Sequence, residues 1–154
     1  MTDAHNRVVF VRVGVRGAKE DKMSVFSSLE EAKEYFQQDV FATDAGMRLD
    51  ALTADGAVCS MEITSRHRNA NGGVMGGAIF TLGDLAFAAA TNQRHRPTVA
   101  QQVSINYFNQ PKGKWLIATA HCMKDGRTTC VYNVDITDDT GEPIAQFIGT
   151  GYKL

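Results

Sequence analysis

The period of hydrophobic and polar positions changes several times along this chain, and each change marks an element. Val8 to Val15 (VVFVRVGV) is rich in β-branched residues and predicts an extra strand, with Gly14 and Gly17 at its exit. Gly17 to Lys22 reads as a charged turn. At Ser27-Ser28-Leu29-Glu30-Glu31 a serine cap precedes early acids that suit the positive end of a helix dipole. Leu29, Ala32, Tyr35 and Phe36 then recur at helical spacing and predict a helix that stops before Ala42. From Met47 the period is two. Met47, Leu49 and Ala51 alternate with Arg48 and Asp50, and Asp55-Gly56 supplies a hairpin turn. Ala57, Cys59, Met61 and Ile63 line one face of the strand that follows.

Gly77 to Asn92 is the most apolar helical segment, greasy on nearly every side. Four strands finish the chain: Thr98 to Phe108, Trp115 to Met123, Thr128 to Thr137 and Pro143 to Tyr152. The short turn-forming stretches between them predict a meander of four antiparallel neighbours. A helix apolar all round has to be wrapped, and a strongly curved antiparallel sheet is the partner this sequence offers. The expected class is α+β, with one domain over 27–154 behind an N-terminal extension, 1–26.

Composition narrows the function. A formal net charge of -1 over 154 residues gives no electrostatic case for nucleic acid or for an anionic membrane. The longest apolar run is interrupted by Thr81 and Asp84 and is too short to span a bilayer, and Met1 to Asn6 has no apolar signal core. Cys59, Cys122 and Cys130 show no CxxC spacing, and one is left over in any disulfide scheme, so reduced thiols in the cytoplasm are expected. His5, His67, His95 and His121 are scattered, without a metal-ligand spacing. There is no G-x-S-x-G elbow or phosphate-binding G-x-x-x-x-G-K-[ST] loop, and Gly72, Gly73, Gly76 and Gly77 lack dinucleotide spacing. No metal or cofactor is expected.

The chemistry that remains lies in Asn69 to Gly77 and the helix it opens. Gly76 and Gly77 stand at the helix entrance, where backbone N–H groups lack intrahelical acceptors and can hold an anion or a developing oxyanion. The same glycines also suit a tight turn that lets the helix lie close to the sheet. Asp84 interrupts the greasy helix, in a polar stripe with Thr81 and Thr91. A buried carboxylate without a partner is costly, so one tolerated there is either hydrogen-bonded structurally or kept as a base or nucleophile. Gly76 and Asp84 are eight residues apart, about 12 Å along a helix. One carbonyl cannot touch both on the same helix. If both act on one substrate, the site is shared between two antiparallel copies of the helix across a dimer.

The run from His67 through Asn69, Gly72, Met75, Gly76-Gly77 and Asp84 to Asn92 resembles the signature of hotdog-fold acyl-CoA thioesterases of the phenylacetyl-CoA thioesterase-like group, roughly N-x-x-G-x-x-H-G-G-x-x-x-x-L-x-D. Asn106-Tyr107-Phe108, Lys124 to Thr128 and Gly149 to Tyr152 continue the likeness. The resemblance implies the hotdog fold, a curved sheet around one central helix. It implies homodimers or dimers of dimers, and hydrolysis of an acyl-CoA thioester with coenzyme A as part of the substrate. Carried over by position, Asp84 is the general base or nucleophile, the Gly76 amide of the other subunit polarises the carbonyl, and Asn69 orients water or carbonyl. Met75, Gly77 and Thr81 line the substrate. Arg127 is a candidate for the CoA phosphates, as are Arg94 and Arg96. Met75 replaces the histidine usual in that group and removes a hydrogen-bond donor, so the alternative expectation is a non-catalytic acyl-CoA-binding module. Dehydration of a hydroxyacyl thioester would pair a histidine with an acid, and no suitable histidine stands at the entrance.

Overall fold

The structure, a computed structural model, describes residues 24–154. The expected Val8–Val15 strand and the Gly17–Lys22 turn lie outside them. α1 (Leu29–Phe36) begins where the Ser28 hydroxyl accepts the Glu31 N–H at 3.1 Å. In return, Glu31 Oε2 accepts from the Ser27 amide and hydroxyl at 2.7 and 2.6 Å. Its apolar face buries Ala32 and Phe36, and Phe26 packs edge-on against Phe36. The helix expected to run on towards Ala42 stops at Phe36. Asp39 leaves helical geometry (φ -75°, ψ 70°), and a second short helix, α2 (Val40–Asp44), buries Ala42 instead.

β1 (Met47–Leu52) and β2 (Gly56–Glu62) form the expected hairpin, with Met47, Leu49, Ala57, Cys59 and Met61 in the core. α3 (Gly76–Asn92) follows, then β3 (Thr98–Tyr107), β4 (Trp115–Asp125), β5 (Thr129–Asp138) and β6 (Pro143–Lys153). One six-stranded antiparallel sheet results, in the order β1-β2-β4-β5-β6-β3. The expected meander therefore holds only for β4, β5 and β6. β3 pairs with β6 (Tyr107 opposite Ala145), and β4 pairs with β2 (Cys59 opposite Ala118). The 108–114 stretch is a crossing connection rather than a hairpin turn. It passes three strand spacings, about 14 Å, which seven residues span easily.

Asp138 anchors that crossing. Its buried carboxylate accepts the N–H groups of Lys112 (2.8 Å) and Gly113 (2.9 Å) from the connection. It also accepts the N–H and hydroxyl of Thr140 and the N–H of Glu142 from the β5–β6 turn. Burial alone would raise its pKa. The hydrogen bonds from Thr140, Gly113 and Lys112 outweigh that and hold the carboxyl well below the usual range.

α3 lies on the sheet, packed mainly on β2, β4 and β5, and buries Ile79, Leu82, Leu85, Ala86, Phe87, Ala89 and Ala90. Cys130, Tyr132, Val134 and Ile136 of β5 face it, all buried. Phe87 meets Tyr132 edge-on at 6.1 Å, and a Cβ at Gly149 would come within 2.7 Å of the Phe87 ring. The end of α3 is tied down by Asn92, which accepts the Thr98 N–H and donates to the Thr98 carbonyl. Gln93 adds bonds to the Thr53 and Gly56 carbonyls of the β1–β2 hairpin.

Candidate active site

The loop before α3 is a small closed structure. His67 is buried. Its Nδ1 accepts the Thr64 N–H at 2.9 Å, which leaves the proton on Nε2 to donate to the Ala45 carbonyl at 2.6 Å. Its own carbonyl accepts the Met75 N–H at 2.8 Å, just before the helix. Between them Arg68 bridges Val74, and the Asn69 N–H reaches the Gly73 carbonyl at 2.8 Å. Gly72 turns the chain at φ 81°, a conformation that disfavours side chains. Asn69 Oδ1 accepts the amides of Asn71 (3.0 Å) and Gly73 (3.2 Å), so this oxygen holds the loop in shape.

Two residues of the β3 end and the crossing connection brace the loop from outside. Gln110 Oε1 accepts the Val74 N–H at 2.9 Å. The Tyr107 ring covers Gly76, where a Cβ would come within 3.1 Å of it, and its hydroxyl donates to the Gly76 carbonyl at 3.0 Å. Tyr107 belongs to the Asn106-Tyr107-Phe108 likeness, but its contact with Gly76 depends on the pairing of β3 with β6 and has no local signal in the chain.

The helix entrance is uncapped. Met75, at the cap position, makes no side-chain capping bond. The Met75 carbonyl accepts the N–H groups of Ala78 and Ile79 at 3.0 and 3.3 Å, so it points along the helix. In a trans peptide the Gly76 N–H points the opposite way, out of the helix end. The Gly76 and Gly77 amides thus form a pair of donors beside the exposed Met75 side chain, whose Cε lies over Gly77.

Asp84 lies two turns further on, half-buried on the α3 face that the sheet does not cover, beside Thr81. No described residue gives it a hydrogen bond or an ion pair. Burial pushes its carboxyl above the usual range, and the negative charge of Asp39, before α2, adds to the rise. Asp39 is itself raised, by burial. Thr81 turns its hydroxyl onto the Gly77 carbonyl at 2.8 Å. Thr91 does not share the open face: it is buried and bonds the Phe87 carbonyl at 2.9 Å.

The arginines lie elsewhere. Arg127 is exposed on the β4–β5 turn, at the end of the sheet opposite Gly76 within one chain. Arg94 donates to the Ala54 carbonyl, and Arg96 stacks on Phe26 and Tyr35 with 5.2 and 4.8 Å to the ring centres. Among the described residues no cluster of His, Cys, Asp and Glu could hold a metal, and no helix is long and apolar enough to cross a membrane.

Comparison with known proteins bears on this arrangement directly. The family model of the Thioesterase superfamily matches residues 71–145, which include the entrance glycines, Asp84, Tyr107 and Gln110. A putative esterase of Archaeoglobus fulgidus is 30% identical over 128 residues, covering 82% of this chain and 83% of that protein. The chain belongs to the thioesterase superfamily. The superfamily member acyl-coenzyme A thioesterase PaaI of Escherichia coli is 28% identical over 126 residues, 81% of this chain and 90% of that one. Its solved structure superposes with a TM-score of 0.75 over 80% of this chain and 90% of its own, at 27% identity, which makes the fold a hotdog fold. A hypothetical thioesterase protein of Streptococcus pneumoniae TIGR4, solved with coenzyme A, superposes at a TM-score of 0.69 with 27% identity, covering 76% and 94% of the two chains.

Proposed function

We propose that this protein hydrolyses an acyl-CoA thioester to free acid and CoA, at a site shared between two protomers. The observation that carries this reading is Asp84: a half-buried carboxylate, raised in pKa, open on one side and without a hydrogen bond from any described residue. A structural carboxylate in this same molecule looks quite different, as Asp138 does with its five donors. Asp84 removes the proton of the attacking water or attacks the carbonyl itself. The Gly76 amide of the partner subunit takes the charge that develops on the carbonyl oxygen. Asn69, with its amide nitrogen still available, orients water or carbonyl; Met75, Gly77 and Thr81 line the approach, and Arg127 meets the CoA phosphates.

The partner is supported by the open edge of β3. This strand pairs only with β6 among the described residues, and it carries exposed Val99 and Tyr107. Antiparallel pairing of two β3 edges about a twofold axis sets the two α3 helices antiparallel, as a site combining Gly76 and Asp84 needs. The protein acts as a homodimer or a dimer of dimers, with no cofactor beyond the CoA of its substrate.

Two inactive variants test the shared site. Asp84→Asn removes the base. Gly76→Pro removes the N–H at the first helical position, where proline's φ fits and the Tyr107 ring has to give by a few tenths of an ångström. Each is expected to lose about 10²–10⁴-fold in kcat on a panel of acyl-CoAs followed by thiol release. Mixed and re-equilibrated, they are expected to recover up to about a quarter of the wild-type rate, because each mixed dimer holds one intact site. No recovery in dimers shown to have exchanged would place both groups in one protomer. The second reading, acyl-CoA binding without turnover, is favoured by Met75, which offers no donor at the entrance. Thiol release by the wild-type protein excludes it.

A further inference from the structure

We propose that the cleft between α1, α2, β1 and α3 receives the acyl chain of the substrate and selects an unsubstituted, apolar chain of medium length; this rests on the hydrolytic reading above. The cleft has a volume of about 460 Å³, inside the range of small-molecule sites. Its floor is Phe36, Met47, Leu49 and Leu85, all buried side chains. Leu85 is the residue after Asp84 on α3. Gln37 and Thr43 form walls of the cleft on either side of Asp39, the residue whose charge Asp84 feels. The reacting carboxylate and the cleft therefore border the same short α1–α2 link, and a chain leaving a thioester held at Asp84 has this opening beside it.

The chemistry of the rim decides what the cleft accepts. The Thr43 hydroxyl is spent on the backbone carbonyls of Asp39 and Val40. Lys33 pairs with Glu30 at 3.0 Å. Arg48 Nε pairs with Asp50 at 2.9 Å and reaches the Ser60 hydroxyl at 3.2 Å, while its guanidinium lies over Trp115. Only the Gln37 amide makes no side-chain hydrogen bond among the described residues, and it is exposed at the mouth. A carboxylate or hydroxyl carried down to the floor of Phe36, Met47, Leu49 and Leu85 would leave water and the rim donors behind and find no partner there. A methylene chain gains by burial at each carbon.

Binding, rather than turnover, separates this proposal from the reading it rests on. Asp84→Asn protein is titrated calorimetrically with acetyl-, butyryl-, hexanoyl- and octanoyl-CoA, and with succinyl-CoA as the charged match for butyryl. Affinity is expected to rise about fourfold per added methylene until the cleft is full, with butyryl-CoA well ahead of succinyl-CoA. Adding Gln37→Trp at the exposed mouth is expected to cut the octanoyl-to-acetyl ratio at least about tenfold, with the circular dichroism spectrum unchanged. Binding that ignores chain length, or a ratio untouched by the tryptophan in folded protein, overturns the cleft while leaving the hydrolytic reading intact. Failure to bind any acyl-CoA overturns both.

Discussion

Asp84 and Asp39 are neighbouring carboxylates, both held above the usual range. Asp39 is raised by its burial, and Asp84 by its burial first and then by the charge of Asp39. In the proposed mechanism the ionised form of Asp84 is the base, so a raised pKa moves the acid limb of the activity profile to higher pH. Asp39→Asn removes the repulsion and keeps the burial. The limb of kcat against pH is expected to shift downward without reaching the ordinary carboxylate range, and an unmoved limb would show that Asp39 does not act on the base. Asp138 works in the opposite sense. Its folded pKa is depressed, so the stability it contributes is present above the unfolded carboxyl value and is lost as pH falls towards the folded one. Asp138→Asn turns one acceptor oxygen into a donor facing N–H groups. It is expected to cost about 2–4 kcal/mol in urea unfolding at neutral pH, with the loss shrinking in acid.

At the scale of elements, α3 is held at its two ends by different means. Its C-terminal end is locked by Asn92 and Gln93, whereas its entrance is open and only braced, by Tyr107 and Gln110. In between, the helix lies close to β6 because Gly149 leaves room for Phe87. Gly149→Ala drives a methyl into a ring that is 1% exposed and cannot retreat. A loss of about 1–3 kcal/mol is expected by thermal or urea denaturation, with the acyl-CoA dependence of the remaining folded enzyme unchanged. The sequence shows most of these elements, because period, caps and turn residues are local signals. Asp84 stands out as a charge in a greasy helix, Gly76 by its place at the helix entrance, and Asn69 through the family resemblance. The position of β3 does not show, because strand order depends on which edge a strand reaches and not on its own pattern. Asp39, Tyr107 and Gln110 are hidden for the same reason: each meets the site only through tertiary placement. The two-helix form of the 29–44 segment escapes periodicity too, since Asp39 breaks a pattern whose buried positions, Phe36 and Ala42, continue on either side.

For the whole molecule, the α3 face that the sheet does not cover and the β3 edge left unpaired among the described residues meet in the proposed dimer, whose site neither protomer would complete alone. Light scattering is expected to give the mass of two or four chains. On dilution, specific activity is expected to fall together with mass; activity that persists in demonstrable monomers would remove the partner from the mechanism. The sheet order also sets the sequence of assembly. The loop and helix entrance leave the ribosome early, but their braces sit at the end of β3 and just beyond it, and among the described residues β3 pairs only with β6. During synthesis the entrance therefore waits for the last strand, some forty residues after β3 itself. A nascent chain stalled before β6 holds every proposed catalytic residue and still lacks the scaffold that aims the Gly76 amide.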